Sequence, residues 1–371
     1  FMIGKGKPVY TPLSEIYNGY LDQAMIGLTA GMYDYNTLIR RVCKELTDSG
    51  LRTVDYASGW HNRVDVAARR AVLTGASQLS SKIMDMNAES LGVEKFEVSW
   101  HAGARPDHAA WQGKVYTRKQ LESICGLGSG GGLLGWNCRH EYYPFFEGSE
   151  RTYTDKWLEE QNAREARKKA FRGKEYNAYE ATQKQRRMET NMRAQRGEVQ
   201  LLEEGGADSE DITIEQCKYQ AQLDEYKAFC DYFGFLEQRE RIYYDLNGRI
   251  SPSQATYKEW KIAEVNKNIV TIDNRKISEF CLKPGAKHAA EFFSVGYTNS
   301  ISDQKRLRRN LLGQYDRSKI ETTKVLPEGG QQYTIPMMLG VGRKKRTFRT
   351  VWRIDKSGAM PRFITAYRIG G

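Results

Sequence analysis

The chain of 371 residues carries 57 Lys+Arg against 46 Asp+Glu, a net charge of +11. At roughly 150 residues per domain, two or three domains are expected rather than one core. No run approaches the ~18 uninterrupted apolar residues of a membrane span, which excludes a membrane protein. The six cysteines, at 43, 125, 138, 217, 230 and 281, form no spacing typical of a small disulfide scaffold, so a reducing compartment is expected. Phe1 to Leu13 lacks the apolar core of a signal peptide. A Phe at position 1 points to a truncated chain or to Met2 as the start.

Charge divides the chain into blocks. Residues 1–148 hold 16 basic and 15 acidic residues, 149–247 hold 17 and 21, and 248–371 hold 24 and 10. More than the whole net charge therefore lies in the last third. Such a basic unit is a footprint for a polyanion, usually nucleic acid, or else a solubility charge or a surface docked on an acidic neighbour.

In the first block, Asp34 is placed to cap a helix whose apolar face is Leu38, Ile39, Val42, Cys43 and Leu46, with a stop at Ser49-Gly50. A longer helix is expected from about Trp60, with Val64, Ala68, Ala71, Val72, Ala76, Leu79, Ile83 and Met86 on one face. The period then changes to two. Phe96, Val98 and Trp100 alternate with Glu97, Ser99 and His101, which reads as a half-buried strand with His101 on its polar side. The least generic stretch follows: His101-Ala-Gly-Ala-Arg-Pro-Asp-His-Ala-Ala-Trp-Gln-Gly113, then a Gly-rich run, then Trp136-Asn-Cys-Arg-His140. His101, His108, Cys138 and His140 are donors of the kind zinc prefers, with Cys125 nearby, and Cys138-x-His140 offers two from one turn. The spacing matches no standard finger, and a polar network bonding loop carbonyls is the competing reading. Asp107, His108 and Cys138 also raise a hydrolytic centre, which the spacing does not specify.

These motifs, with Gly50-Leu-Arg-Thr-Val-Asp-Tyr-Ala-Ser-Gly59, Asp65-Val-Ala-Ala-Arg69 and Leu73-Thr-Gly75, resemble the core of the MuF-like phage minor capsid proteins (phage minor capsid protein 2) over residues 33–148. The resemblance implies a head morphogenesis protein of a tailed phage, sitting with portal, capsid and scaffold proteins inside the head, and in the host cytoplasm during assembly. The family's motif residues fall on His101, Arg105, His108, Gln112, Gly113, Asn137, Cys138, Arg139 and His140.

The middle block, 149–247, reads as a charged helical arm. From Arg151 to Glu198 the only Leu, Ile or Val is Leu158, so this stretch cannot build its own core. One or two long helices with an aromatic strip are expected, and Gln185 to Arg193 resembles a basic helix of the same family. After the break at Glu203–Asp211, a second helix runs to about Tyr232, with Cys217, Tyr219, Leu223, Tyr226 and Phe229 facing a core and Cys230 also buried.

Residues 248–272 are expected to form a linker with a helix over 254–266, and 273–371 a small α+β module with helices packed on an antiparallel sheet. Ala289–Phe293 and Gln304–Tyr315 read as helices. Tyr333–Leu339 reads as an edge strand because of Pro336. Two strands follow, with Phe348, Thr350, Trp352 and Ile354, then Phe363, Thr365, Tyr367 and Ile369, on an aromatic face. Arg349, Arg353, Arg362 and Arg368 are then on the other, beside the basic turn Arg343-Lys344-Lys345-Arg346. The marks Lys276-Ile277, Leu282-Lys-Pro284, Lys287–Phe293, Thr350-Val-Trp352 and Pro361–Tyr367 resemble an uncharacterised module of phage head proteins and polymorphic toxins. By analogy it is a metal-independent ribonuclease toxin, needing no cofactor and met by an immunity protein. Such chemistry would use His288 as base, Lys276, Lys287, Arg349 and Arg353 on phosphate, and Thr365 or Tyr367 to orient the attacking group. The plainer alternative is DNA or RNA binding alone, by Arg343, Lys344, Lys345, Arg346, Arg353, Arg362 and Arg368.

Overall fold

The computed structural model describes residues 2–4, 7–9, 13–32, 34–48, 53–55, 59, 61–243 and 250–369. Tyr33, Ser49–Gly50, most of the Gly50–Gly59 motif, Trp60 and the expected boundary at 247/248 lie outside the described residues. The class is α+β, as expected. The chain forms two compact units, 1–186 and 187–371.

The first unit opens with strands β1 (Met2–Gly4) and β2 (Lys7–Val9), then helices α1 (Leu13–Thr29) and α2 (Tyr35–Asp48). Asp34 caps α2, its Oδ1 accepting the Thr37 N–H at 3.1 Å. Strands β3 (Thr53–Asp55) and β4 (His61–Arg63) pair ahead of α3 (Val64–Ser90). Ala24, Leu38, Val42, Leu46, Val64, Ala68 and Val72 form one core. Helix α3 does not keep a single buried face. Ile83 and Met86, expected inside, are 47% and 69% exposed. Beyond its midpoint the helix instead turns Met84 and Ala88 into a second core. At about 100° per residue, Ala88 lies roughly 160° around the axis from Val72. The two halves thus serve cores on opposite sides, which one continuous stripe cannot do.

The second core is built on a three-stranded antiparallel sheet in the order β6 (Val115–Thr117), β5 (Lys95–Val98), β7 (Tyr142–Phe145). Phe96, Val98, Trp111, Tyr116, Leu121, Leu133 and Tyr142 fill it. Strand β5 is buried on both faces, not one. Glu97 is covered because its carboxylate accepts the Thr152 and Tyr153 N–H groups, at 3.2 and 3.3 Å. Short helices α4 (Pro106–Ala109) and α5 (Arg118–Ser123) flank the sheet. The charged arm then divides into α6 (Asp155–Ala166), a hairpin of β8 (Lys169–Phe171) and β9 (Lys174–Tyr176), and α7 (Ala178–Glu204), within which the two units meet along the chain. Leu158 of α6 is buried, and Trp157 stacks edge-on against Trp100 at 5.1 Å between ring centroids.

In the second unit, α8 (Ser209–Phe233) buries Cys217, Tyr219, Leu223, Tyr226, Phe229 and Cys230, the face read from the sequence. Ser253 caps α9 (Gln254–Asn266). The expected linker is no linker: Ala263 of α9 and Val270 and Ile272 beyond it belong to the core of the C-terminal sheet. A π-helical turn over Lys276–Cys281, α10 (Ala289–Ser294) and α11 (Ile301–Gln314) follow. The sheet has four antiparallel strands in chain order, β10 (Thr322–Val325), β11 (Gln331–Leu339), β12 (Arg346–Ile354) and β13 (Arg362–Arg368). Strand β11 is therefore internal, contrary to the edge position expected from Pro336. Its pairing with β10 ends at Thr334, so the missing N–H of Pro336 falls where β10 has run out.

Side-chain parity in this sheet also departs from the simple alternation. Val351 pairs with Thr365 but Trp352 with Phe363, so Ile364 is an extra residue, a β-bulge. Tyr333, Ile335, Met337, Phe348, Trp352, Phe363 and Ala366 face the core. Thr365 and Tyr367, expected on that aromatic face, pair with Val351 and Arg349 on the other. Arg349, Arg353 and Arg362 share this outer face, whereas Arg368 pairs with Phe348 and leaves it.

Candidate functional site

The motif residues of the first unit gather around His140. His108 sits on α4, whose start is set by Pro106 at the first helical position. Cys138 and His140 come from the turn ahead of β7, after Asn137 takes a left-handed conformation at φ 57°. The Gly-rich run folds tightly beside them. A Cβ on Gly132 would lie 2.1 Å from the Gly126 carbonyl oxygen, so only glycine fits there.

The contacts are these. His108 Nδ1 lies 3.4 Å from His140 Nδ1, and Cys138 Sγ lies 3.6 Å from the same nitrogen. His140 Nε2 is 2.8 Å from Gln112 Oε1, which also accepts the His101 backbone N–H at 2.9 Å. His108 Nε2 is 3.0 Å from the Gly131 carbonyl oxygen. The Arg105 guanidinium reaches both His108 Nε2 and that carbonyl. Trp111 packs against both rings, at 4.5 and 4.8 Å between centroids. His108, Gln112 and His140 are buried.

Electrostatics follows from that burial. Desolvation pushes the His140 imidazole down to about 3, helped by the neighbouring His101 and His108 rings. Desolvation likewise lowers His108 and His101 and raises the Cys138 thiol. Both core imidazoles are therefore neutral near pH 7, each with one bare ring nitrogen.

Of the four expected ligands, His108, Cys138 and His140 bring ligand atoms within 4.8 Å of one another. His101 does not point away on a polar face as read from the strand: its ring lies 5.0 Å from that of His140. Its nitrogens are engaged, however, by Ser99 Oγ at 3.1 Å and by the Arg139 carbonyl. Cys125 is buried in the apolar core, its thiol pushed up to about 12 by desolvation, and is no ligand. Asn137 and Arg139 are exposed. Ser99 and Gly131 went unnoticed in the sequence, because neither residue type marks a site by itself.

In the second unit, the bulge gathers Arg349, Thr365 and Tyr367 on one face. The Tyr367 hydroxyl stands beside the Arg349 guanidinium and holds it above the usual arginine range. The Tyr367 ring lies 5.8 Å from that of His288. Glu291, which the sequence reading missed, is 2.8 Å from His288 Nδ1; its position three residues on, in the same helical turn, was the available signal. Lys276 is not drawn in: its ammonium lies over the Phe280 ring at 4.5 Å. The outer-face arginines are paired with carboxylates. Arg349 meets Glu321 at 3.3 Å, and Arg353 and Arg362 both meet Asp355 at 2.7 Å. Arg343, Lys344, Lys345 and Arg346 are exposed, and among the described residues none has an ion-pair partner.

Residues 9–231 match the family model of phage minor capsid protein 2, and residues 261–370 match a domain of unknown function, DUF6883. No curated protein and no solved structure matches the chain. A chain matched over that much of its length is a phage head protein, a component of the virion. It belongs to the phage minor capsid protein 2 family. Among the described residues no helix is long and apolar enough to cross a membrane.

Proposed function

We propose that this head protein sits inside the capsid beside the portal, and that its basic C-terminal unit contacts nucleic acid. The match over residues 9–231 carries the first part. Support for the second comes from the unneutralised turn at Arg343–Arg346, since Arg349, Arg353 and Arg362 spend their charge on Asp355, Glu321 and Glu328. Binding of this kind is non-specific and falls steeply with salt. The test is a salt titration of duplex DNA and of RNA against the full chain. Replacing Arg343, Lys344, Lys345 and Arg346 by Gln is expected to flatten the slope of log K against log salt by roughly 3 to 4. An unchanged slope refutes the interface. Portal contact is tested by cross-linking purified particles, where the absence of any cross-link to the portal counts against it.

A second reading, a ribonuclease carried by the same unit, is favoured by one observation: His288, Tyr367, Arg349 and Glu291 form a connected group. In that reading Glu291 orients His288 as base, and Arg349 holds the phosphate. Growth arrest and RNA loss on expression of the full chain, abolished by His288→Ala, are expected. Arrest that survives this substitution removes His288 from the chemistry.

A further inference from the structure

Three ligand atoms of the first unit, one each from His108, Cys138 and His140, lie within 4.8 Å of one another. The Gln112 side-chain oxygen accepts the His101 backbone N–H, a group that only donates. That atom is therefore an acceptor, and His140 Nε2, 2.8 Å away, carries its proton toward it. The neutral ring then leaves Nδ1 bare. Toward this lone pair come His108 Nδ1 at 3.4 Å and Cys138 Sγ at 3.6 Å. A hydrogen bond between ring nitrogens is expected nearer 3 Å. A tetrahedral zinc ion, with bonds of about 2.05 Å to nitrogen and about 2.3 Å to sulfur, sets N···N edges of about 3.3 Å and N···S edges of about 3.6 Å. The two separations from His140 Nδ1 match edges of the zinc tetrahedron, and the three ligand atoms lie within 4.8 Å of one another.

We propose that His108 Nδ1, Cys138 Sγ and His140 Nδ1 bind one zinc ion. An all-nitrogen-and-sulfur donor set selects zinc over hard cations. On binding, the Cys138 thiol loses its proton to solvent and the thiolate takes the metal; the imidazoles enter neutral. In the zinc-bound form His108 carries its proton on Nε2, toward the Gly131 carbonyl at 3.0 Å, and the Arg105 guanidinium, itself only a donor, bonds that carbonyl rather than the ring. Gln112 and Gly131 thus fix the two rings from behind, as outer partners of metal ligands do. His101 has both nitrogens engaged, so solvent takes the fourth position. The ion ties the α4 turn to the Cys138–His140 turn, joining the two motif segments.

The test uses the untagged full chain. Zinc is measured against protein by mass spectrometry after zinc loading and dialysis, and cobalt is titrated into metal-stripped protein. One zinc per chain is expected, with the visible bands of four-coordinate cobalt and a near-ultraviolet thiolate-to-cobalt band. Cys138→Ser is expected to erase the thiolate band and weaken zinc at least tenfold, while His101→Ala keeps one zinc per chain. Folded protein that holds well under one zinc, or a cobalt complex without the thiolate band, overturns the proposal in favour of a hydrogen-bonded Arg105–His108–His140–Gln112 relay. Should His108→Ala or His140→Ala fail to fold, the wild-type stoichiometry and the Cys138→Ser cobalt spectrum still decide.

Discussion

Gly113 closes the first motif, and the structure says why alanine is excluded there. Its φ is +71°, and a Cβ would stand 2.6 Å from Leu158 Cδ2 and 3.5 Å from Tyr153 Cβ. Its backbone is also tied at both ends, the N–H donating to the Val98 carbonyl at 3.1 Å and the carbonyl accepting from Arg151 at 3.2 Å. The residue cannot move away to relieve the contact. The left-handed conformation costs a side chain roughly 1 kcal/mol. The overlap with Leu158, which is buried, adds about 1–3 kcal/mol of overpacking. Gly113→Ala is therefore expected to cost about 2–4 kcal/mol. Leu158→Ala alone leaves a cavity and costs about 2–5 kcal/mol. In the double variant that cavity receives the new methyl group, so the overlap vanishes and only the conformational strain and the lost packing remain. The double cost should fall short of the sum by about 1–3 kcal/mol. Hydrogen exchange read by mass spectrometry on peptides spanning 95–117 measures the local opening directly. Additive effects, or an alanine variant as protected as the parent, would refute this account of the motif glycine.

Three further outcomes follow from individual contacts. Arg309 joins Glu210 at 2.5 Å and Glu259 at 2.7 Å in a site where Glu210 is 1% exposed, so Arg309→Met leaves two carboxylates without their shared cation. A loss of about 3–5 kcal/mol in denaturant unfolding is expected, and a loss under about 1 kcal/mol contradicts it. Gln112→Leu removes the acceptor of both the His140 ring and the His101 N–H; zinc affinity is expected to drop 10- to 100-fold by competition titration, with His101→Ala as the control. Arg362 and Arg353 hold Asp355 below the usual carboxylate range. Its stabilising effect is present above about pH 4 and is lost as acidification passes the lower folded value. The melting temperature of Asp355→Asn should trail the parent at pH 7 and converge with it in strong acid; a gap independent of pH removes the charge from the explanation.

Legibility in the sequence tracked how far each signal depends on local periodicity. Helix α8 could be read because one face meets one core throughout, from Cys217 to Cys230. Helix α3 could not, since its halves serve different cores. The β8–β9 hairpin was hidden because its residues are mostly exposed and charged, leaving no alternation to read. The donor types of the first unit were visible as His and Cys, yet their partition was not. Only the folded chain shows His101 held by Ser99 and Arg139 while His108, Cys138 and His140 converge.

The C-terminal sheet makes the same point with a consequence for chemistry. Strict alternation along Arg362–Arg368 assigns Thr365 and Tyr367 to the core and parts them from Arg349. A single unpaired residue, Ile364, reverses that assignment from Thr365 onward. Because strand side chains repeat every two residues, one insertion flips everything beyond it. Ala366 takes the interior position opposite Thr350, and Tyr367 comes out beside Arg349 and within ring contact of His288. The same step removes Arg368 from the basic face and leaves Arg349, Arg353 and Arg362 each against a carboxylate. The bulge therefore does two things at once. It brings Tyr367 beside Arg349 and His288, and it weakens the case for that face as a bare phosphate grip, which is why the proposed polyanion contact is assigned to the Arg343–Arg346 turn.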